Sequence, residues 1–134
     1  MAFRTDIFWK SACGRCPDCG APIRAMGDQT GRFARLWDTP THCAGCGMTL
    51  RRKEGFFLGA IVWNYGLTAF GVLPLVLVAY RLGWIGGDWA VRLAVGAIFV
   101  VPPLIHAFAW RLWIGTYYGF LSDQLPSGGR RLDD

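Results

Sequence analysis

The fold is decided by residues 55–80, which read GFFLGAIVWNYGLTAFGVLPLVLVAY and contain no charged side chain. An α-helix needs about 20 apolar residues to cross the hydrocarbon core of a bilayer. This stretch is longer, so it predicts a membrane-spanning helix with some tilt. Pro74 lies in its second half and is expected to kink that helix.

A second apolar stretch follows after a short, glycine-rich turn at residues 81–88. Helices joined by so few residues are antiparallel neighbours. Pro102 and Pro103 interrupt the second stretch, which a membrane helix tolerates when neighbouring groups satisfy the freed carbonyls. Residues 54–122 are therefore predicted to form a transmembrane hairpin, with spans at about 55–80 and 89–118. The predicted fold class is an all-α membrane protein with a small N-terminal metal-binding segment.

The first 54 residues differ in composition from the hairpin. Over the whole 134-residue chain 53% of residues are apolar and 17% are charged, but most of the charge lies in residues 1–54. All five cysteines also lie there, and the charged residues Arg4, Asp6 and Lys10 leave no room for the apolar core of a secretory signal. The cysteines are therefore expected to stay in the reducing cytosol, where paired Cys-x-x-Cys motifs bind metal more often than they form disulfides.

Two Cys-x-x-Cys-Gly motifs, at residues 16–20 and 43–47, carry the strongest chemical signal. The glycine after each pair permits a positive φ, which lets the chain turn tightly and direct both sulfurs and backbone amides at one ion. Four thiolates suit tetrahedral Zn²⁺ and leave no open position, as in structural sites. The spacing predicts a zinc ribbon over residues 13–53, whose ligands are Cys16, Cys19, Cys43 and Cys46.

The spacing leaves several alternatives open. An iron–sulfur centre, a redox dithiol or unliganded thiols would use the same four cysteines. Cys13 stands three residues before Cys16, and His42 is adjacent to Cys43, so either could substitute as a ligand. We expect Cys13 to be a spare thiol because its pair lacks the following glycine.

The placement of lysine and arginine predicts the orientation. Residues 1–54 carry nine, the turn and its flank carry Arg81 and Arg92, and the C-terminal side carries three. Because cytoplasmic flanks are enriched in these residues, both termini are predicted to be cytosolic. Residues 1–12 are then interpreted as a tether and 123–134 as a polar tail. The basic cluster at residues 51–53 adjoins the membrane, so it predicts lipid contact rather than nucleic-acid binding.

A few residues within the spans could have a role beyond crossing the bilayer. Asn64 and His106 are expected to make structural hydrogen bonds between the helices, with transport or cofactor ligation as the less favoured interpretations. Gly55, Gly59 and Gly66 give a small-residue face for close approach of the second span, another copy or a larger partner.

With these motifs placed, the chain resembles a bacterial membrane-protein family catalogued as domain of unknown function 983. The matching pieces are the two cysteine motifs, residues 33–36 between them, and the junction at residues 54–60 followed by Tyr65 and Gly66. The similarity covers roughly residues 14–122. It implies a zinc-ribbon protein of the bacterial inner membrane and a link to respiratory oxidase biogenesis.

These features favour a non-enzymatic accessory or assembly subunit, whose hairpin packs in a larger membrane complex while the ribbon docks on its cytosolic face. The first alternative is a thiol-based redox or metal-handling protein that uses Cys13. The second is a small oligomeric transporter that uses Asn64 and His106. The sequence contains no motif typical of an enzyme active site, so no catalytic residue is predicted.

Overall fold

The computed structural model describes residues 3–23, 40–51 and 55–127. Within these ranges the chain forms three helices, α1 (Thr5–Ala12), α2 (Leu58–Arg81) and α3 (Gly87–Phe120), and a 3-10 turn at Ser122–Gln124. The same ranges contain isolated β-bridges but no strand. The spacer at 33–36, the basic residues 52 and 53, Glu54 of the junction, and the tail from 128 onward lie outside the described residues.

Helix α2 contains a π-helical turn, Thr68–Val72, directly before Pro74. A proline has no N–H to donate, and its ring clashes with the carbonyl four residues earlier in a regular α-helix. A π turn widens the helix at that point, and such bulges are a common way to accommodate a break in the hydrogen-bond ladder. The sequence predicted a kink at Pro74, and the structure places the irregularity in the turn before it.

The turn between α2 and α3 is closed by a glycine. Gly83 has φ +74°, its N–H donates to the carbonyl of Tyr80, and the N–H of Trp84 donates to the carbonyl of Ala79, both at 3.0 Å. These two bonds form a Schellman motif, which needs a left-handed residue at Gly83. The turn therefore ends α2 sharply and returns the chain as an antiparallel helix.

One stripe of α2 faces α3. Ala60, Asn64 and Thr68 recur every four residues and are the buried positions of α2. Asn64 is 8% exposed, and its Nδ2 donates to the carbonyl oxygen of Pro102 at 3.0 Å. The side chain of Asn64 therefore makes the interhelical hydrogen bond that the sequence predicted, with a proline carbonyl as its acceptor.

The three glycines of the predicted small-residue face have different surroundings in the structure. At Gly59 a β-carbon would lie 2.2–2.4 Å from ring atoms of Trp113, so this glycine permits a close approach of α3. At Gly66 an added β-carbon would meet no neighbouring atom of the described residues within 4 Å. Gly55 lies before the helix, with φ +97°. Of the three glycines, therefore, Gly59 is the one that serves the contact within the described hairpin.

We expect Asn64→Ala to loosen the hairpin without unfolding it. Interhelical hydrogen bonds in membranes contribute about 0.6 kcal/mol on average and rarely more than about 1.7 kcal/mol. The variant should lose about 1 kcal/mol of stability against denaturing detergent, measured by loss of helical circular dichroism. Tyr65→Phe, at an exposed neighbouring position, is the control. A loss above about 3 kcal/mol would exceed what one such bond provides and would show a further role for Asn64.

Both hairpin helices are long and apolar enough to cross a membrane. In each, only 11% of the most apolar 18-residue stretch is buried inside the protein. A core helix of a soluble protein would be mostly buried, so this exposure favours an apolar surrounding. Exposed apolar side chains recur along α3 from Trp89 to Phe108. At 1.5 Å per residue this is about 30 Å, the thickness of the hydrocarbon core. We call the exposed apolar surface of α2 and of α3 up to Phe108 the apolar belt.

The last twelve residues of α3 are different, because all of its buried positions lie there. Helix α1 packs antiparallel on this end: the Arg4 N–H donates to the Gly119 carbonyl at 3.0 Å, and Gly115 lies against Phe8 and Ser11. The sequence predicted a tether over residues 1–12, whereas residues 5–12 form a packed helix. The physical reason is that Gly115 and Gly119 leave room for its backbone and for Phe3.

Candidate metal centre

The two cysteine motifs begin 27 residues apart, and each folds into a turn of the same type. In the first, the Cys16 N–H donates to the Ala21 carbonyl at 2.8 Å and the Gly20 N–H to the Cys16 carbonyl at 3.0 Å. In the second, Cys43 and Gly47 make the equivalent bonds, each at 2.9 Å. Gly20 and Gly47 have φ +71° and +69°. Each motif is thus a knuckle closed by the left-handed glycine that the sequence predicted.

The knuckles bring four sulfurs together. The Sγ atoms of Cys16 and Cys46 are 3.8 Å apart, those of Cys19 and Cys43 are 3.6 Å apart, and all four lie within 4.8 Å of one another. Tetrahedral zinc with Zn–S near 2.3 Å requires S–S separations of about 3.8 Å. The four cysteines therefore form a group with the dimensions of a metal site, and the donor set is what Zn²⁺ or an iron centre would take.

The knuckles interlock at Gly45. A β-carbon at this position would lie 2.9 Å from the Ala21 side chain and 3.1 Å from the Cys19 Sγ. A larger side chain would separate the two knuckles, because its first carbon would meet the opposite one. The glycine between Cys43 and Cys46 is thus part of what allows the four sulfurs to meet.

Burial raises the pKa of the thiols, and hydrogen bonds from backbone amides lower it. Burial raises the pKa of Cys16, and the adjacent Cys43 raises it further. Burial also raises the pKa of Cys43, but the N–H groups of Cys46 and Gly45 are directed at its sulfur and bring the pKa down to about 7. The pKa of Cys46 is raised, mainly by burial. Cys43 therefore has the strongest thiolate character of these three cysteines at neutral pH.

The knuckles pack on the C-terminal end of α3, residues 109–120, which we call the α3 platform. Ile7 from α1, Leu50 from the second knuckle, and Ile114 and Tyr118 from α3 are almost completely buried in one cluster with the cysteines 16 and 43. The cysteine group is thus built into a core shared with α1 and α3. The two knuckles therefore share their core with one end of the hairpin.

A C-terminal segment also covers the first knuckle, which sequence reasoning did not predict. Leu125 is buried in the shared core, and Asp18, between Cys16 and Cys19, accepts hydrogen bonds from the backbone N–H and the hydroxyl of Ser127. The sequence predicted a polar tail from residue 123. The only signal was Leu125, a single apolar residue in a polar segment.

Ser127→Ala should loosen this segment from the knuckle, because it removes the hydroxyl bond and keeps the backbone bond to Asp18. Hydrogen bonds to a charged group contribute about 1.5–3 kcal/mol, so the loss of the hydroxyl bond should increase local opening by about one to two orders of magnitude. Limited proteolysis near the C-terminus should be correspondingly faster, while metal content stays unchanged. Ser122→Ala makes the same change in the preceding 3-10 turn and should leave the cleavage rate as in the wild type. Equal rates for both variants would contradict the contact.

The other candidate residues lie apart from the four sulfurs. Cys13 is exposed and is not a member of the group, and His42 is exposed with its Nδ1 3.1 Å from the Thr41 hydroxyl. His106 is half-buried in α3, with its ring 5.6 Å from that of Phe57. The structure therefore brings together Cys16, Cys19, Cys43 and Cys46 among its described residues and leaves these residues elsewhere.

Comparisons with known proteins give no further identification. No family model, no curated protein and no solved structure matches this chain. The family resemblance drawn from the sequence motifs therefore stays a prediction.

Proposed function

We propose that this protein is a non-enzymatic accessory or assembly subunit of a larger membrane complex. In this proposal the hairpin crosses the bacterial inner membrane twice, both termini are cytosolic, and a zinc-stapled ribbon docks on the complex. Respiratory or other electron-transfer complexes are the class that the family resemblance suggests.

The observation that carries the proposal is the shared core at the α3 platform. Knuckles, α1 and the segment at Leu125 pack around one end of α3, so the ribbon is held in a fixed position relative to the hairpin. A small module fixed in this way presents one surface to the cytosol and another to the bilayer. That arrangement suits a subunit that contacts a larger complex both within the bilayer and at its cytosolic surface.

The chemistry of the cysteine group supports a structural metal. Four thiolates complete a tetrahedral coordination shell, so a bound Zn²⁺ keeps no position for a substrate or water. Cys16 and Cys43 are buried and Cys19 and Cys46 are half-buried, which favours a closed site. With zinc bound, the chain's own residues supply ligands and a folded core, and no catalytic step is assigned to them.

The test is the size of the native assembly. Tagged protein extracted from native membranes in a mild detergent should migrate on a native gel in a species several times its 14.9 kDa mass, together with stoichiometric zinc. Cys16→Ser with Cys43→Ser should leave the hairpin in the membrane fraction but shift the protein to its own size. Cys13→Ser is the matched control and should keep the large species. Migration of the wild type alone, or of the cysteine variant in the large species, would refute the docking role.

A thiol-based redox or metal-handling function is the second candidate, because Cys13 is exposed and three residues from the buried Cys16. If Cys13 exchanged metal or electrons with the group, Cys13→Ser would slow transfer of zinc to a competing chelator or abolish a thiol-dependent reaction. Unchanged transfer and phenotype in this variant would remove the alternative.

A further inference from the structure

The outer face of α1 carries an exposed aromatic surface. Ile7 and Ser11 are fully buried against α3, whereas Trp9, about 200° around the helix from Ile7, is 65% exposed. Phe3, whose ring is 5.9 Å from that of Phe8, and Phe120, 4.8 Å from Phe3, are also exposed. A tryptophan on the outer face of a packed helix in water would gain nothing from that position, since its ring is largely apolar.

This surface is continuous with the apolar belt. The ring of Trp9 is 5.7 Å from that of Phe8, and the ring of Phe8 is 6.4 Å from that of Trp63 on α2. Trp63 in turn lines an open apolar groove with Val62 and Phe70, both strongly exposed. An unbroken row of apolar side chains therefore leads from the exposed side of α2 to the outer face of α1.

The position of α1 along α3 places it just beyond the belt. Gly14, just after α1, lies beside the guanidinium of Arg111: a β-carbon added to this glycine would be 3.4 Å from it. Phe8 lies against Gly115. Arg111 is three residues from Phe108, the end of the apolar belt on α3, or about 5 Å along the helix. Gly115, which lies against Phe8, is seven residues from Phe108, or about 10 Å along the helix. The segment from Phe8 to Gly14 thus spans about 5–10 Å beyond the belt, which covers the headgroup layer, about 5–8 Å thick on each side, and its outer edge.

We propose that α1 is an interfacial helix whose Trp9 ring inserts between lipid headgroups and so holds the cysteine group against the cytosolic surface of the bilayer. The occupant of this surface is the headgroup region of the membrane in which the hairpin lies. The inference rests on the proposed membrane hairpin. Tryptophan suits this layer because its ring is apolar while its N–H can reach water or a headgroup oxygen.

The test uses the full-length protein labelled with 5-fluorotryptophan in lipid nanodiscs. The ¹⁹F resonances of Trp9 and Trp89 are assigned with Trp9→Phe and Trp89→Phe. Paramagnetic broadening of the Trp9 signal should be about threefold stronger with a nitroxide lipid labelled near the headgroup than with one labelled near the acyl-chain end, as expected for a ring buried about 5–10 Å into the interface. Broadening by a water-soluble paramagnetic chelate should be weaker than by the shallow lipid.

Trp89 separates the two proposals, because it lies at the far end of the hairpin on α3. If Trp89 responds to lipid nitroxides while Trp9 responds only to the aqueous chelate, the interfacial helix is refuted and the hairpin stands. If neither signal responds to lipid, the membrane hairpin fails and the interfacial helix fails with it. Response of Trp9 to the shallow lipid supports the inference.

Discussion

Cys43→Ser is expected to abolish metal binding and to unfold the knuckles from the α3 platform. Purified wild-type protein should contain about one zinc per chain, as a closed four-thiolate site requires, and the variant should contain almost none. Structural zinc contributes about 10–16 kcal/mol to the folding of isolated zinc-finger peptides, which equals or exceeds the net stability of about 5–15 kcal/mol of a typical domain. The core around Leu50 and Ile114 should therefore open when the site is lost.

Cys43 is the most informative ligand to replace. Its sulfur lies 3.6 Å from that of Cys19 and 3.4 Å from the Gly45 nitrogen, so it belongs to both the sulfur group and the backbone turn. Elemental analysis of protein purified in detergent measures the metal and distinguishes zinc from iron. Limited proteolysis between the second knuckle and α2 reports the unfolding.

Cys13→Ser provides the control, because it makes the same atomic change in the same segment but outside the sulfur group. This variant should keep the wild-type metal content and resist protease. Full metal content in Cys43→Ser would show that the four-sulfur group is not the binding site. Loss of metal in Cys13→Ser would instead make Cys13 a ligand.

The grouping of the four cysteines could be predicted because its determinants are local. Each Cys-x-x-Cys-Gly motif specifies its own turn through the glycine and the backbone bonds between near neighbours in the chain. That the two knuckles meet follows from the chemistry of one ion with four ligands. The contact of Asp18 with Ser127 could not be predicted, because 109 residues separate them and Ser127 lies in no motif.

The hairpin was also predictable, since two long apolar stretches and a glycine-rich turn allow few other arrangements. The burial of the last twelve residues of α3 could not be predicted. Residues 109–120 are rich in apolar and aromatic side chains, like the span before them. Composition alone does not separate side chains that face outward from those buried against α1 and the knuckles. The packing of Gly115 and Gly119 against the N-terminal segment makes that distinction.

Gly59→Ala is expected to separate the two helices of the hairpin where Gly59 meets Trp113. The added β-carbon would overlap the ring of Trp113, and that ring is held by neighbours on both sides, with Phe56 at 5.8 Å and Tyr117 at 5.9 Å between ring centres. Overpacking of this kind costs about 1–3 kcal/mol. Alanine also gains up to about 1 kcal/mol over glycine in a helix, so the raw change understates the clash.

Gly66→Ala is the matched control, because it makes the same substitution in the same helix, where no atom of the described residues lies within 4 Å of the added carbon. It should be neutral or stabilising. Because the helix-propensity gain is common to both variants, they should differ by the cost of the clash, about 1–3 kcal/mol in resistance to denaturing detergent, followed by helical circular dichroism. Trp113→Leu combined with Gly59→Ala should recover part of the loss, since the smaller side chain leaves room for the methyl group. Equal stability of the two alanine variants would mean that Gly59 and Trp113 do not form the contact that positions α2 on α3.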